Sequence, residues 1–346
     1  MKVLHIVNTG WFSGAENVVC QIIDAFKNNA EMAYCGYDGP IRSVLKDSGI
    51  EFFPIVKMSV RELKRVFNEF RPNIIHAHDM RASFFASSSC GRIPLICHIH
   101  GNALDSRRIS LKSVLFLFAA YKAKHIFWVH ESSFNGYIFH SFFRKKSSIL
   151  QNVLNTELLT KKMNEDFCNY DYDVVYLGRI ASQKNPKRLI NVFRKLIAIN
   201  PNAKCAIVGD GIMSDFVANL ITQMDLTKNV FLLGFKNNPM KLLSDSKALL
   251  MTSLWEGLPI CALEALTLGV PVVSTPVDGL RTIIQNGKNG YLSDNDDEIA
   301  CYLNNLICDK KLHDELSENC VALSKEYNDF YSYKSQLASV YNDICT

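Results

Sequence analysis

At 346 residues the chain is longer than one ordinary domain of about 100–200 residues and suits two. Its 48% hydrophobic and 21% charged content excludes a disordered or fibrous chain, and its longest near-apolar stretch, 113–121, is far shorter than the roughly 18 residues of a membrane span. The net charge of +4 is uneven: 19 Lys/Arg face 12 Asp/Glu through Glu157, and 19 face 22 after it, so the first half is expected to meet something anionic.

Short apolar runs alternate with helical patterns. The first half predicts strands over 3–7, 32–37, 52–56, 74–78, 95–98, 126–130 and 148–151. Helices are predicted over 16–28, 60–70, 82–90, 111–124 and 132–142. Residues 153–171 are polar and read as a linker. Strands resume over 174–177, 205–208, 231–233, 249–251 and 272–274. Between the first two lies a helix with Asn185 as its cap, Pro186 in its first turn and Asn200-Pro201 as its stop. Alternation of this kind predicts α/β architecture: two Rossmann-like, doubly wound domains facing across a cleft. The expected boundaries are 1–160 and 172–330, with a terminal helix at about 331–346 packing back on the first domain.

In such folds ligands bind beyond the carboxyl ends of strands. The most informative junction is Tyr176-Leu177-Gly178-Arg179, followed by Lys184-Asn185-Pro186. A strand ends, glycine opens a turn, and two cations precede a helix whose first N–H groups point at the same place. That combination suits a diphosphate. Gly209-Asp210-Gly211 follows the next strand; a tight turn and a phosphate loop explain it equally well. In Trp255-Glu256-Gly257-Leu258-Pro259-Ile260, Glu256 is expected in a loop. Glu264, one turn or more into the following helix, stands among apolar residues, and a carboxylate there needs a partner.

These motifs resemble family 4 of the retaining GT-B glycosyltransferases, over nearly the whole chain. Gly178-Arg179, Lys184 and the Glu256/Glu264 pair with its seven intervening residues carry the likeness. Ser13-Gly14-Ala15-Glu16, Ile75-His76-Ala77-His78, Ile99-His100-Gly101 and Leu150-Gln151-Asn152-Val153 are similar to the family's N-domain and interdomain motifs, and 337–344 to its last helix. The resemblance implies transfer of a sugar from a nucleotide sugar, UDP-linked, to a glycan or lipid-linked glycan of bacterial surface polysaccharide, with retention of configuration. It implies that Arg179 and Lys184 bind the diphosphate, with Gly14, Gly209 and Gly211 near the phosphates. Glu264 would hold the ribose, and Glu256 with Gly257, Leu258, Pro259 and Ile260 the sugar and phosphates. Phe235 and Lys236 would meet the base, and His100 the transferred sugar. Glu256 and His100 are thus the catalytic candidates. The family usually has a glutamate where Thr282 stands, and two adjacent glycines where this chain has Phe12-Ser13-Gly14.

No cofactor and no metal are expected, since cations and helix N-termini replace the metal of other transferases. The pairs His76/His78 and His98/His100 could ligate an ion, but no carboxylate or thiol stands at ligand spacing beside them. Asp294/Asp296 reads as a helix-cap cluster and Asp171/Asp173 as a linker end. Nucleic acid is disfavoured, because the positive charge is mild and no reading motif is present. Eleven cysteines without a paired motif suit reduced, buried thiols and a cytoplasmic address, and the N-terminus carries no signal-peptide pattern. Arg107, Arg108, Lys112, Lys122, Lys124 and Arg144-Lys145-Lys146, beside Phe139, Phe142 and Phe143, suit either an anionic membrane surface or a core-packed helix with solvated ends. Two other readings are a sugar-nucleotide-binding subunit without catalysis and a phosphorylase of the same fold.

Overall fold

The computed structural model describes residues 1–101, 104–277 and 279–345. The chain divides into two compact units, Met1–Asn152 with Phe330–Thr346, and Val153–Asp329.

The first unit holds seven strands: β1 Lys2–Ile6, β2 Glu31–Tyr37, β3 Glu51–Ile55, β4 Ile74–His78, β5 Leu95–Ile99, β6 His125–Trp128 and β7 Ser147–Ile149. All pair in parallel, in the order β3-β2-β1-β4-β5-β6-β7. Side chains alternate across a strand. Leu4, Ile6, Ile75, Ala77, Cys97 and Ile99 therefore enter one core with Phe67, Ala82, Ala86, Phe116 and Ala119 of three helices. The intervening positions are His5, His76, His78 and His98, all fully buried on the opposite face. The terminal helix Phe330–Cys345 helps cover that face through Tyr333, Leu337 and Tyr341. Tyr341 packs on Phe26, and its hydroxyl lies 2.7 Å from His76 Nδ1.

The second unit holds β8 Val174–Leu177, β9 Cys205–Val208, β10 Val230–Gly234, β11 Ala248–Met251, β12 Val272–Ser274 and β13 Gly290–Leu292. The order β10-β9-β8-β11-β12-β13 is again all parallel. Tyr176, Ile207 and Leu250 pack with Leu189, Val192, Phe193 and Leu196 of the helix Pro186–Ile199, whose apolar residues follow one helical face.

Three expectations need correction. The supposed linker contains a helix, Thr156–Asn164, capped by Asn155 Oδ1 accepting from the Leu158 amide and anchored by buried Leu159. The helix predicted over 132–142 is a single short one, Glu131–Asn135, followed by a 3-10 turn over His140–Lys146. Gly136 ends it, where helix propensity is lowest apart from proline. Asn185 does stand at the start of its helix, but with left-handed backbone (φ 51°) and no side-chain cap bond.

Candidate active site

In the second unit the strand order reverses between β8 and β11, the position at which open α/β sheets bind ligands. The loops after these two strands carry Arg179, Lys184 and Glu256, with Glu264 in the helix Ile260–Thr267 that follows the second loop, and the two loops are stitched together. Leu254 N–H donates to the Gln183 carbonyl at 2.8 Å, and Gln183 Nε2 donates to the Trp255 carbonyl at 3.0 Å. Thr252 Oγ1 donates to the Lys184 carbonyl at 3.0 Å.

Across this seam Lys184 Nζ lies 2.5 Å from Glu256 Oε1, with the lysine side chain 17% and the glutamate 8% exposed. Burial alone would lower the Lys184 pKa; Glu256 more than offsets it, so the ammonium is held above its usual range. The thiol of Cys261 is pushed up to about 12, first by burial and then through the balance of Lys184 against Glu256 and Glu264. Glu256, Lys184, Cys261 and Glu264 thus form one electrostatic group. Burial raises Tyr176 well above its ordinary value, and its hydroxyl donates to the Arg179 carbonyl at 3.0 Å. Among the described residues the Arg179 guanidinium has neither a hydrogen bond nor an ion pair.

Glu264 lies inside the helix Ile260–Thr267, and Pro259 precedes that helix without a side-chain cap. Its first amides are therefore available to an anion. The helix Pro186–Ile199 also lacks a side-chain cap, but Pro186 has no N–H and the Arg188 and Leu189 amides donate to the Asn185 carbonyl. The loop after β9 is pressed onto the loop after β8. Gly209 has φ +140°, and a Cβ there would stand 2.0 Å from the Gly178 carbonyl oxygen. Likewise a Cβ on Gly279 would stand 1.5 Å from the Gly257 carbonyl oxygen. Gly211 N–H donates to Asp210 Oδ1 at 2.7 Å. Phe235 and Lys236 follow β10, both half-buried, with Lys236 Nζ 6.0 Å from the centre of the Tyr170 ring.

Both Asp-x-Asp pairs are engaged by cations. Arg188 Nε donates to Asp296 Oδ1 at 2.6 Å, and Lys204 Nζ donates to Asp171 Oδ2 at 2.5 Å. Sequence reasoning missed Tyr176, Gln183, Thr252 and Cys261. Gln183 and Thr252 bond across 72 and 68 positions, which no local pattern announces.

In the first unit, Gly14 opens the helix Gly14–Phe26, and the Ser13 hydroxyl donates to Glu16 at 2.5 Å instead of capping. His100 follows β5, half-buried, with its amide donating to Asp79 Oδ1 at 3.3 Å. The two His-x-His pairs join His5 in one stacked array. His5, His76 and His78 bring ring nitrogens within 4.8 Å of one another, as do His78, His98 and His100. Metal ligands can be spaced so, yet both nitrogens of His78 face other rings at hydrogen-bonding distance.

The surface helix Leu111–Lys122 is apolar on both sides. Ser113, Phe116, Ala119 and Ala120 face the core, while Leu111 (77% exposed), Phe118 (63%) and Tyr121 (83%) face outward. Ile109 and Phe142 are also exposed, whereas Phe143 is buried. Lys122 and Lys146 are tied to main-chain carbonyls; Lys112, Lys124, Arg144 and Lys145 are exposed.

Comparison with known proteins bears on the family and the fold. The family described as "Glycosyltransferase Family 4" matches residues 13–157, and "Glycosyl transferases group 1" matches residues 162–321. The chain belongs to the family 4 type of GT-B glycosyltransferases. It is 26% identical over 353 residues to the Escherichia coli UDP-Gal:alpha-D-GlcNAc-diphosphoundecaprenol alpha-1,3-galactosyltransferase, covering 92% of this chain and 91% of that one. A Campylobacter jejuni N-acetylgalactosaminyltransferase, named for a diacetylbacillosaminyl-diphospho-undecaprenol acceptor, is 28% identical; the match covers 53% of this chain and 50% of that one. Among solved structures, Anabaena HepE in complex with UDP-glucose superposes with a TM-score of 0.84 at 20% identity, covering 99% of this chain and 100% of that one. This transferase fold therefore carries the Lys184–Glu256 seam at the switch point of its second sheet.

Proposed function

We propose that this glycosyltransferase moves a sugar from a UDP-linked donor to a lipid-linked glycan of bacterial surface polysaccharide synthesis, with retention of configuration. The observation that carries the reading is the convergence of Arg179, Lys184 and two uncapped helix N-termini on one end of the second sheet, beside buried Glu256 and Glu264. Arg179 and Lys184 bind the donor diphosphate and stabilise the charge that grows on it as it leaves. This chemistry needs no metal and no cofactor. Glu264 holds the ribose, the segment after Gly234 with Phe235 and Lys236 meets the base, and Gly14, Gly209 and Gly211 approach phosphates. Glu256, Gly257, Leu258, Pro259 and Ile260 hold the sugar, and His100 meets the group being transferred.

The acceptor class follows the two relatives named for diphospho-undecaprenol substrates. Such an acceptor places the enzyme on an anionic membrane surface. The outward stripe of Leu111, Phe118 and Tyr121, rimmed by exposed cations, supplies a face for it. No helix of the described residues is long and apolar enough to cross a membrane; the association proposed is peripheral, on the cytoplasmic side.

Incubation with a panel of nucleotide sugars, without added Mg²⁺ or Mn²⁺, tests the reading. Slow hydrolysis of one UDP-sugar, and its transfer to a diphospho-polyprenol glycan, are expected. A chain that binds UDP-sugars but neither hydrolyses nor transfers them is a binding subunit instead. A strict requirement for added divalent cations would mean that Arg179 and Lys184 do not stand in for a metal at the diphosphate.

A further inference from the structure

The first unit contains a line of three histidines. His5 Nδ1 lies 3.0 Å from His78 Nε2, and His78 Nδ1 lies 2.8 Å from His100 Nε2. Among the described residues the two end atoms, His5 Nε2 and His100 Nδ1, are both buried without a partner. His5 and His78 are fully buried, while His100 is at the half-buried end. Around them stand His76 and His98, also fully buried, with Tyr341 bonded to His76. The carboxylate facing this group is Asp79, whose Oδ1 takes the His100 amide.

We infer that His5, His78 and His100 form a directed hydrogen-bonded wire that fixes the proton of His100 on Nδ1, making His100 a hydrogen-bond donor and not a base. Burial holds all three rings below the ordinary histidine range, so each is neutral near pH 7. A neutral imidazole has one N–H and one lone pair. With two contacts in series, only two arrangements satisfy both. In one, His5 Nδ1–H donates to His78 Nε2, His78 Nδ1–H donates to His100 Nε2, and the free end is His100 Nδ1–H. In the other, every bond is reversed and the free end at His100 is a lone pair.

One feature selects the first. Asp79 lies at the His100 end and favours the positive, N–H end of the wire there; the carboxylate pulls the His100 pKa upward against the larger effect of burial. Either arrangement leaves one buried N–H at an end of the wire, so the charge at the His100 end decides between them. His5 and His78 are thus positioning residues. This rests on the proposal that His100 meets the transferred sugar, where a fixed N–H can donate to a sugar oxygen but cannot take the acceptor's proton. That assignment agrees with retention in which the leaving phosphate takes that proton.

The test is a long-range ¹H–¹⁵N spectrum of the full chain labelled in its histidine rings, assigned through the backbone, at neutral pH. His5, His78 and His100 are all expected as Nδ1–H tautomers, the minor form of free histidine. In His78→Phe, His100 should move towards the Nε2–H form. A wild-type spectrum with His100 protonated on Nε2, or with any of the three rings charged, overturns the wire. So does an unchanged His100 signal in His78→Phe, or a stoichiometric transition metal in the purified protein. If that variant does not fold, the wild-type spectrum alone decides. The measurement needs neither donor nor turnover, so a failure of the transferase reading leaves it standing.

Discussion

Lys184 and Glu256 belong to loops after different strands, yet their charges meet at 2.5 Å with little access to water. The ammonium is therefore held before any ligand arrives, and a diphosphate must share it with the glutamate. Removing one partner strands the other. Lys184→Met should cost about 3 kcal/mol of stability, read as a lower urea midpoint. The double variant Lys184→Met with Glu256→Gln should recover most of that loss but not UDP affinity. If the double variant is no more stable than Lys184→Met, the two groups are not coupled.

The two glutamates should fail differently. Glu264→Gln should raise the donor KM with kcat nearly kept, because the ribose is unchanged in the reaction. UDP binding should weaken in parallel, by roughly 1.5–3 kcal/mol, the range for a hydrogen bond to a charged group. Glu256→Gln should mainly lower kcat, and UDP should bind as well or better, since Lys184 is released to it. Turnover assays and calorimetry with UDP separate the two. Weaker UDP binding in Glu256→Gln beside normal binding in Glu264→Gln would reverse the roles.

Acid should unfold the first unit early. Burial lowers His5 to about 3 and holds His76, His78, His98 and His100 below their ordinary value of 6.5. The unfolded chain then binds more protons than the folded one between the folded pKa values and 6.5. Stability is thus full above about pH 7 and falls as pH drops, by up to about 1.4 kcal/mol per pH unit for each histidine. Urea midpoints at pH 7.5, 6.5 and 5.5 check the sign. A midpoint that stays flat or rises on acidification would mean that these rings are already charged.

The outward face of Leu111–Lys122 should bind anionic liposomes in a salt-sensitive way, since exposed charges are screened within about 8–10 Å near physiological ionic strength. Phe118→Ser with Tyr121→Ser should weaken flotation at all salt concentrations. Replacing Lys112, Arg144 and Lys145 by Ala should weaken it chiefly at low salt. Lys146 is left alone because it ties the carbonyls of Tyr121 and Ala123. Unchanged flotation in both variants would take this face out of the reading.

Much of the fold was legible because parallel strands buried on both faces read as short apolar runs, as in Ile74–His78 and Cys205–Val208. What escaped was short or locally ambiguous. Gly290–Leu292 is three residues long, and Thr156–Asn164 is held chiefly by one cap and one buried leucine. At the site, Arg179, Lys184, Glu256 and Glu264 stood out because charges beside glycine turns and helix starts carry a local signature. The Lys184–Glu256 contact spans 72 positions and had none. The histidine pairs were visible, but His5 was not, because a lone histidine inside a strand looks like any other. Only the β1–β4 register, which sets His5 beside His76, completes the array.

The terminal helix Phe330–Cys345 belongs with the strands that open the chain, and Tyr341 reaches His76 across 265 positions. During synthesis, then, the seven-stranded sheet leaves the ribosome long before its last covering piece exists. The second unit is contiguous in sequence and has all its parts once Asp329 has emerged. The order of completion is therefore inverted with respect to the order of translation: the later half closes first, and the earlier half waits for that last helix of 16 residues to seal its histidine-lined face.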